Sequence, residues 1–261
     1  MTITKHELRQ GKVSFLVWTA SVGFLLSVCV FLFPEMQSEM DNVTKMFSSM
    51  GVFSKAFGMD KLNFGTLIGY YCIECGNVLG LGGAFFASLC AVSILSKEEA
   101  GHTAEFLLTH PVSRARIVAG KLAAVLVEIA AMNLVIYAVS IASITAIGEA
   151  IPWRELNLLH LAYFLMQFEL AGICFGLSAF LRKGSAGAGL GLAAFMYFLD
   201  LIANVTDSAA FLKYFTPFGF CEGAYIVSNT SLNAPVAIVG VSLGAAGIIA
   251  GFLKYTRKDM R

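Results

Sequence analysis

The densest group of residues able to do chemistry lies between two apolar stretches, in positions 97–121. Glu98 and His102 are four residues apart, so a helix would place both on one face and offer two metal ligands. A stable site needs three or four ligands and no third one can be assigned, so a metal site is not predicted. Without a metal site, the charged residues of this segment are suited to recognition of a partner through charge. A helix over 97–110 would carry Glu98, His102, Glu105 and Thr109 on one face and Ala100, Ala104, Leu107 and Leu108 on the other.

This amphipathic pattern predicts a short helix that docks on a soluble partner. Pro111 would end the helix, because proline cannot continue the hydrogen-bond ladder. The alternative interpretation is a solvated turn at the membrane interface, and the pattern alone does not separate the two.

A nucleotide site of the P-loop type is absent from the sequence. That loop needs two glycines five positions apart, then Lys and Ser or Thr, so that backbone amides cradle phosphate. Here Gly120-Lys121 is followed by Leu122, and position 115 holds alanine. A Gly189–Ala194 match to the dinucleotide fingerprint lies inside an apolar run, without the strand and helix that the fingerprint requires. We therefore expect no cofactor and no enzymatic activity in this chain.

Composition places these residues in a membrane protein. Of the 261 residues, 57% are apolar and only 13% are charged, whereas a soluble domain is about 45–50% apolar and about 25% charged. One soluble core could not bury so much apolar surface. The net charge of +1 provides no basic field for nucleic acid, so a nucleic-acid partner is not expected.

Six apolar runs are long enough to cross a hydrocarbon core, which takes about 20 residues each. The predicted fold is therefore an all-α membrane protein, with one transmembrane domain over residues 1–261. The predicted spans are 13–33, 78–96, 122–147, 158–181, 186–203 and 234–253.

The distribution of basic residues predicts the topology. Thirteen of the eighteen lysines and arginines fall at the termini and in the loops after the second and fourth spans. Basic loops face the cytoplasm, so both termini and the 97–121 segment are predicted to be cytoplasmic. On the outer side, the aromatic, proline-broken Tyr214–Phe220 segment predicts a re-entrant or interfacial hairpin before the last span.

Two carboxylates lie well inside apolar runs, Glu128 and Glu169. A charged side chain in the membrane is costly, so each should face the bundle interior, a pore or an interface. Both are candidates for a translocation path, and the alternative is a packing role.

Glycines four residues apart recur in the spans, which allows helix backbones to approach closely. The expected contacts lie within the chain or between two copies of it. The relevant pairs are Gly76/Gly80, Gly172/Gly176, Gly187/Gly191, Gly240/Gly244 and Gly247/Gly251.

The loop after the second span resembles the signature of ATP-binding-cassette transporter permeases of type two (ABC-2 type). That signature runs from an acidic residue through Gly-Thr, Glu, paired leucines and Pro-x-Ser-Arg to a lysine that opens the third span. His102 separates glycine from threonine here, which is a departure from the pattern. The matching residues are Glu98, Glu99, Gly101, Thr103, Glu105, Leu107, Leu108, Pro111, Ser113, Arg114, Gly120 and Lys121.

The resemblance implies a permease subunit of an ATP-driven exporter, with a coupling helix at 97–110 seated in a cleft of a separate ATPase subunit. Two ATPase copies would bind ATP and Mg²⁺, and a second permease chain would complete a homodimer or heterodimer in the bilayer of a bacterial plasma membrane. Thr2–Gln10 would be an amphipathic elbow helix. The implied ATPase-coupling residues are Glu98, Glu99, His102, Glu105, Phe106, Leu107, Leu108, Pro111 and Arg114, the leucines and Phe106 as apolar anchors.

Two alternatives belong to other functional classes. A proton-coupled secondary carrier would use Glu128 and Glu169, although no inverted repeat is evident. A glutamate-dependent intramembrane protease would use Glu98 and Glu99 with His102 and His110. The protease alternative is weaker, since the pattern HExxH is absent and His160 is the only later histidine.

Overall fold

The computed structural model describes residues 2–39, 50–101, 112–181 and 185–257. Six helices in these ranges are long and apolar enough to cross a membrane, and the described residues form no β-strand, which confirms the predicted fold class. The long helices are α1 (Thr2–Ser38), α3 (Leu67–Val92), α5 (Arg114–Ala146), α6 (Trp153–Phe180), α7 (Ala186–Val205) and α9 (Ala234–Arg257); the short ones are α2 (Val52–Ala56), α4 (Lys97–Ala100), α8 (Gly223–Asn229) and a 3₁₀ helix (Asp207–Tyr214).

Helices α3 and α6 form the centre of the bundle. They pack on each other; α9 lies along α6, while α1 and α7 lie along α3, and α5 packs mainly on α1. Large apolar side chains on the outer helices remain exposed, among them Phe24 on α1, Leu134 on α5 and Phe198 on α7. In a membrane protein such faces are solvated by lipid tails, so they carry no penalty.

Several helices extend beyond the predicted spans: α5 begins at Arg114 rather than 122 and α6 at Trp153 rather than 158, and the differences in α3 and α1 are larger. Helix α3 begins at Leu67 rather than near residue 78, because Thr66 caps it: the Thr66 hydroxyl accepts a hydrogen bond from the Gly69 amide at 3.2 Å. Helix α1 continues through Pro34 to Ser38 and is unbroken from Thr2, so the predicted elbow segment is continuous with the first span. How that segment lies relative to the membrane remains a prediction.

The predicted hairpin before the last span is a compact, broken-helix structure. The 3₁₀ helix leads into turns at 215–220 and then into α8. Phe218, Phe220 and Cys221 are buried against the bundle, while Phe211 and Phe215 remain exposed. The Thr216 hydroxyl donates to the Met196 carbonyl at 2.8 Å, which ties the turn to α7.

Glu222 anchors this hairpin through two ion pairs. Its carboxylate oxygens accept hydrogen bonds from Lys61 Nζ at 2.9 Å and from Lys213 Nζ at 2.6 Å. Burial alone would raise the pKa of Glu222, but the two lysines outweigh burial and hold the pKa below its usual range.

We expect the hairpin to loosen in acid because of this carboxylate. A lowered folded-state pKa means that the stabilisation is complete above the ordinary carboxyl pKa, about 4.3, and is lost as pH falls through the lowered value. The hydrogen-exchange protection factors of Asp207–Asn229, which are corrected for the intrinsic pH dependence of exchange, should fall on acidification in the wild type and depend less on pH in Glu222→Gln. Glu149→Gln, at the turn after α5, is the control. Equal acid sensitivity in wild type and Glu222→Gln would refute this role.

Candidate functional site: a buried ion-pair cluster at the basic end

The start of the predicted coupling segment, and the residues that follow the segment from Val112 onward, lie within the described ranges. Its start forms α4, and Ser113 caps α5, where the Ser113 hydroxyl accepts from the Arg116 amide at 3.3 Å. Glu98, Glu99 and Arg114 are therefore placed. The other predicted coupling residues lie outside the described ranges: His102, Glu105, Phe106, Leu107, Leu108 and Pro111.

Lys121 forms the centre of a cluster at this end of the bundle, which we term the basic end. Its side chain is only 1% exposed. Its Nζ donates to Glu7 Oε1 at 2.8 Å, to the Ile94 carbonyl at 2.8 Å and to Glu98 Oε1. An ammonium group has three N–H donors, so each donor of Lys121 is used.

The second oxygen of Glu7 extends the cluster. It accepts a hydrogen bond from Lys97 Nζ, which also donates to Gln10 Oε1 at 2.8 Å. Two carboxylates, Glu7 and Glu98, thus balance two lysines, Lys97 and Lys121. The cluster joins three elements: Glu7 belongs to α1, Lys97 and Glu98 to α4, and Lys121 to α5.

Backbone packing brings the partners of the cluster together. Thr4 Oγ1 donates to the Gly120 carbonyl at 3.0 Å, and a Cβ at Gly120 would lie 3.1 Å from Ile3 Cβ. Helices α1 and α5 therefore approach closely beside Lys121. At the loop end of α3, the Leu95 amide donates to Ser178 Oγ of α6 at 2.9 Å, so α4 follows an anchored turn.

Sequence reasoning missed the pairing of Glu7 with Lys121. From the sequence alone, Lys121 is one of the charges that flank the third span, whereas the structure buries it within α5. The available signal was a single acid, Glu7, in a leader that otherwise carries Lys5, Arg9 and Lys12.

The two predicted path carboxylates occupy separate places. Glu128 lines a cavity of about 230 Å³ between α1, α3 and α5, together with Glu7, Lys97 and Cys90. Gly11 makes room for it, since a Cβ there would overlap the Glu128 carboxylate. The structure therefore places Glu128 beside the cluster.

Glu169 is enclosed between α6 and α9, where only 1% of the residue is exposed. A Cβ on Gly240 would overlap its carboxylate, and its Oε2 has no hydrogen-bond partner in the described part of the chain. Glu169 does not line the Glu128 cavity. The roles of Glu128 and Glu169 in translocation remain predictions.

His160, the histidine that a protease would need on a later span, lies away from this cluster. It sits near the start of α6, where its Nε2 is 2.9 Å from the Tyr71 hydroxyl, and that hydroxyl is 2.8 Å from Ser140 Oγ. The end of α6 instead reaches the basic end through Ser178. His160 therefore belongs to a packing network at the opposite end of the bundle.

Comparison with known proteins agrees with this architecture. Residues 1–253 match the family model of the ABC-2 family transporter protein. A search of curated proteins finds no match. The family match covers all six long helices except the last turn of α9. The chain belongs to the ABC-2 family of transporter proteins and is a multi-pass membrane protein.

Proposed function

We propose that this chain is the permease subunit of an ATP-driven exporter in a bacterial plasma membrane. A separate ATPase subunit, in two copies, would bind ATP and Mg²⁺ and dock at the basic end, and a second permease chain would complete the pathway. The observation that carries this proposal is the buried Lys121 cluster. It joins the start of the predicted ATPase-docking segment, residues 97–114, to the two long helices α1 and α5.

The cluster supports coupling because it resists being pulled apart. If α4 moved without α1 and α5, Glu98 and Lys121 would separate in a buried site, and breaking a buried pair costs about 3–5 kcal/mol. Displacement of α4 by closure of the ATPase would therefore cost less free energy if α1 and α5 moved with it. This is a contiguous physical link between a docking segment and the bundle.

Charge complementarity at the docking segment supplies the first test. We expect Glu105→Lys and Arg114→Glu to reduce recovery of the ATPase at least several-fold when the tagged permease is purified from membranes. The retained polypeptide is scored by photolabelling with an azido-ATP and by Mg²⁺-dependent ATP hydrolysis. Reversal of a charge in a docking surface replaces attraction with repulsion.

Glu35→Lys is the matched control, since Glu35 is an exposed acid at the other end of α1. Its recovery of the ATPase should equal that of the wild type. Each variant must also elute as a monodisperse particle, so that lost binding is not lost folding. Unchanged ATPase recovery by both charge-reversed variants would refute docking through this segment.

A further inference from the structure

A second polar cavity lies at the end of the bundle opposite the Lys121 cluster. It measures about 80 Å³ and is lined by residues of α3, α6 and α7, by the turn after α2 and by the hairpin. The residues that matter for its chemistry are Asn77, Tyr163, Tyr197, Asp200, Phe218 and Glu222.

Most polar groups in this cavity already have partners. Asn77 Nδ2 donates to the Ile73 carbonyl at 2.8 Å, and the Tyr197 hydroxyl donates to Asn77 Oδ1 at 3.0 Å. Both oxygens of Glu222 are held by lysines. Two groups with remaining capacity are Asp200 and Tyr163.

Asp200 is a half-buried carboxylate near the end of α7. It accepts one hydrogen bond, from Asn204 Nδ2 at 3.2 Å, and makes no ion pair within the described ranges. Lys213 and Glu222 act on it electrostatically in opposite senses. Asp200 therefore keeps acceptor capacity toward the cavity.

Tyr163 is the second, independent indication of a ligand. The residue is only 5% exposed, yet its hydroxyl makes no hydrogen bond to any residue that the structure describes. The hydroxyl lies over Gly76, where a Cβ would be 2.6 Å from the oxygen. Tyr163 also lines the cavity, so its hydroxyl is available to a ligand there.

We propose that this cavity binds a primary ammonium group, with Asp200 and the Tyr163 oxygen accepting its N–H donors. The rings of Tyr197 and Phe218 also line it, edge to face with centroids 5.3 Å apart, and aromatic faces attract cations. Both oxygens of Glu222 are taken by Lys61 and Lys213, so Asp200 is the acceptor for an incoming ammonium group.

Size and donor set favour an ammonium group over a metal ion. No group of three or more His, Cys, Asp or Glu in the described chain could hold a metal, and hard cations such as Ca²⁺ take about 6–8 oxygen ligands. A water needs about 10–15 Å³ of such space, so 80 Å³ accepts a small amine head group but not a whole lipid or peptide. The amine could be free in solution or belong to phosphatidylethanolamine.

Thermal unfolding of the purified chain tests this site, because a ligand that binds only the folded state raises the midpoint. In detergent without phosphatidylethanolamine, methylammonium chloride should raise the wild-type midpoint by about 2–4 °C above equimolar sodium chloride. If the amine belongs to the lipid, the wild-type midpoint should be higher in nanodiscs of phosphatidylethanolamine than in nanodiscs of phosphatidylcholine. A shift in either arm supports the site and identifies its source.

Asp200→Asn and Tyr163→Phe should each remove most of that shift. The matched controls are Asp60→Asn and Tyr214→Phe, which alter exposed residues outside the cavity and should keep it. Tyr163→Phe removes one hydroxyl only, so it remains informative if Asp200→Asn folds poorly. Equal stabilisation by sodium, no shift in either arm, or shifts that survive in both cavity variants would overturn the proposal.

Discussion

Lys121→Met is expected to lower the free energy of unfolding by about 3–5 kcal/mol, the usual cost of leaving buried charges without their partner. Glu7 and Glu98 both lose a hydrogen bond from Nζ, and the Ile94 carbonyl loses its donor. Methionine matches the length of the lysine stem, so the loss reports the charge rather than a cavity. Thermal and denaturant unfolding in detergent would measure it.

Two further variants separate the cluster from general effects of the substitution. Lys5→Met removes an exposed lysine of α1 at the same end and should change stability by less than about 0.5 kcal/mol. Adding Glu7→Gln to Lys121→Met should recover part of the loss, because the cluster then holds one carboxylate, Glu98, against one lysine, Lys97, rather than two carboxylates against one lysine. A Lys121→Met variant as stable as Lys5→Met would mean that the cluster does not hold α1, α4 and α5 together.

The sequence predicted the parts of this fold that depend on local composition. Long apolar runs predicted all six helices, and they were placed correctly except at their ends. The start of α3 was missed because residues 67–77 contain glycine, tyrosine, glutamate and asparagine, which lower the apolar signal. Tyr70 and Tyr71 there face the protein interior, and packing against other helices replaces contact with lipid.

The side-chain clusters depend on contacts between distant positions, which no local pattern reveals. Glu7 and Lys121 are 114 residues apart in the chain. Tyr163 has the spacing of an ordinary buried aromatic residue, so its unpaired hydroxyl could be recognised only from its surroundings. Glu128 and Glu169 look alike in sequence, yet one lines a cavity and the other is enclosed between two helices.

The spacing of the glycines predicts close helix contacts, and the structure shows which helices make them. The pairs Gly172/Gly176 and Gly247/Gly251, together with Gly244, line the crossing of α6 and α9. A Cβ at Gly172 would lie 2.8 Å from Gly244 Cα, and one at Gly247 would lie 2.8 Å from the Gly172 carbonyl carbon. The obstructing atoms are backbone, which cannot rotate away, so the two helices touch only because these positions lack side chains.

Gly172→Ala is therefore expected to destabilise the chain despite the better helix propensity of alanine. Overpacking costs about 1–3 kcal/mol, and forcing α6 and α9 apart would also weaken the contacts along their crossing, including the packing of Glu169 against Gly240. The yield of monodisperse protein and the thermal midpoint should both fall. Gly244→Ala should behave similarly, since its Cβ would lie 2.7 Å from Glu169 Cα.

Gly191→Ala is the matched control for this effect. Gly191 is also a helical glycine in a long apolar helix, but a Cβ there meets nothing within 4 Å in the structure. Alanine at that position should raise stability by up to about 1 kcal/mol through helix propensity alone. The two substitutions are chemically identical, so their difference isolates the backbone contact. If Gly172→Ala and Gly191→Ala shift the midpoint alike, α6 and α9 do not cross as closely as the structure places them.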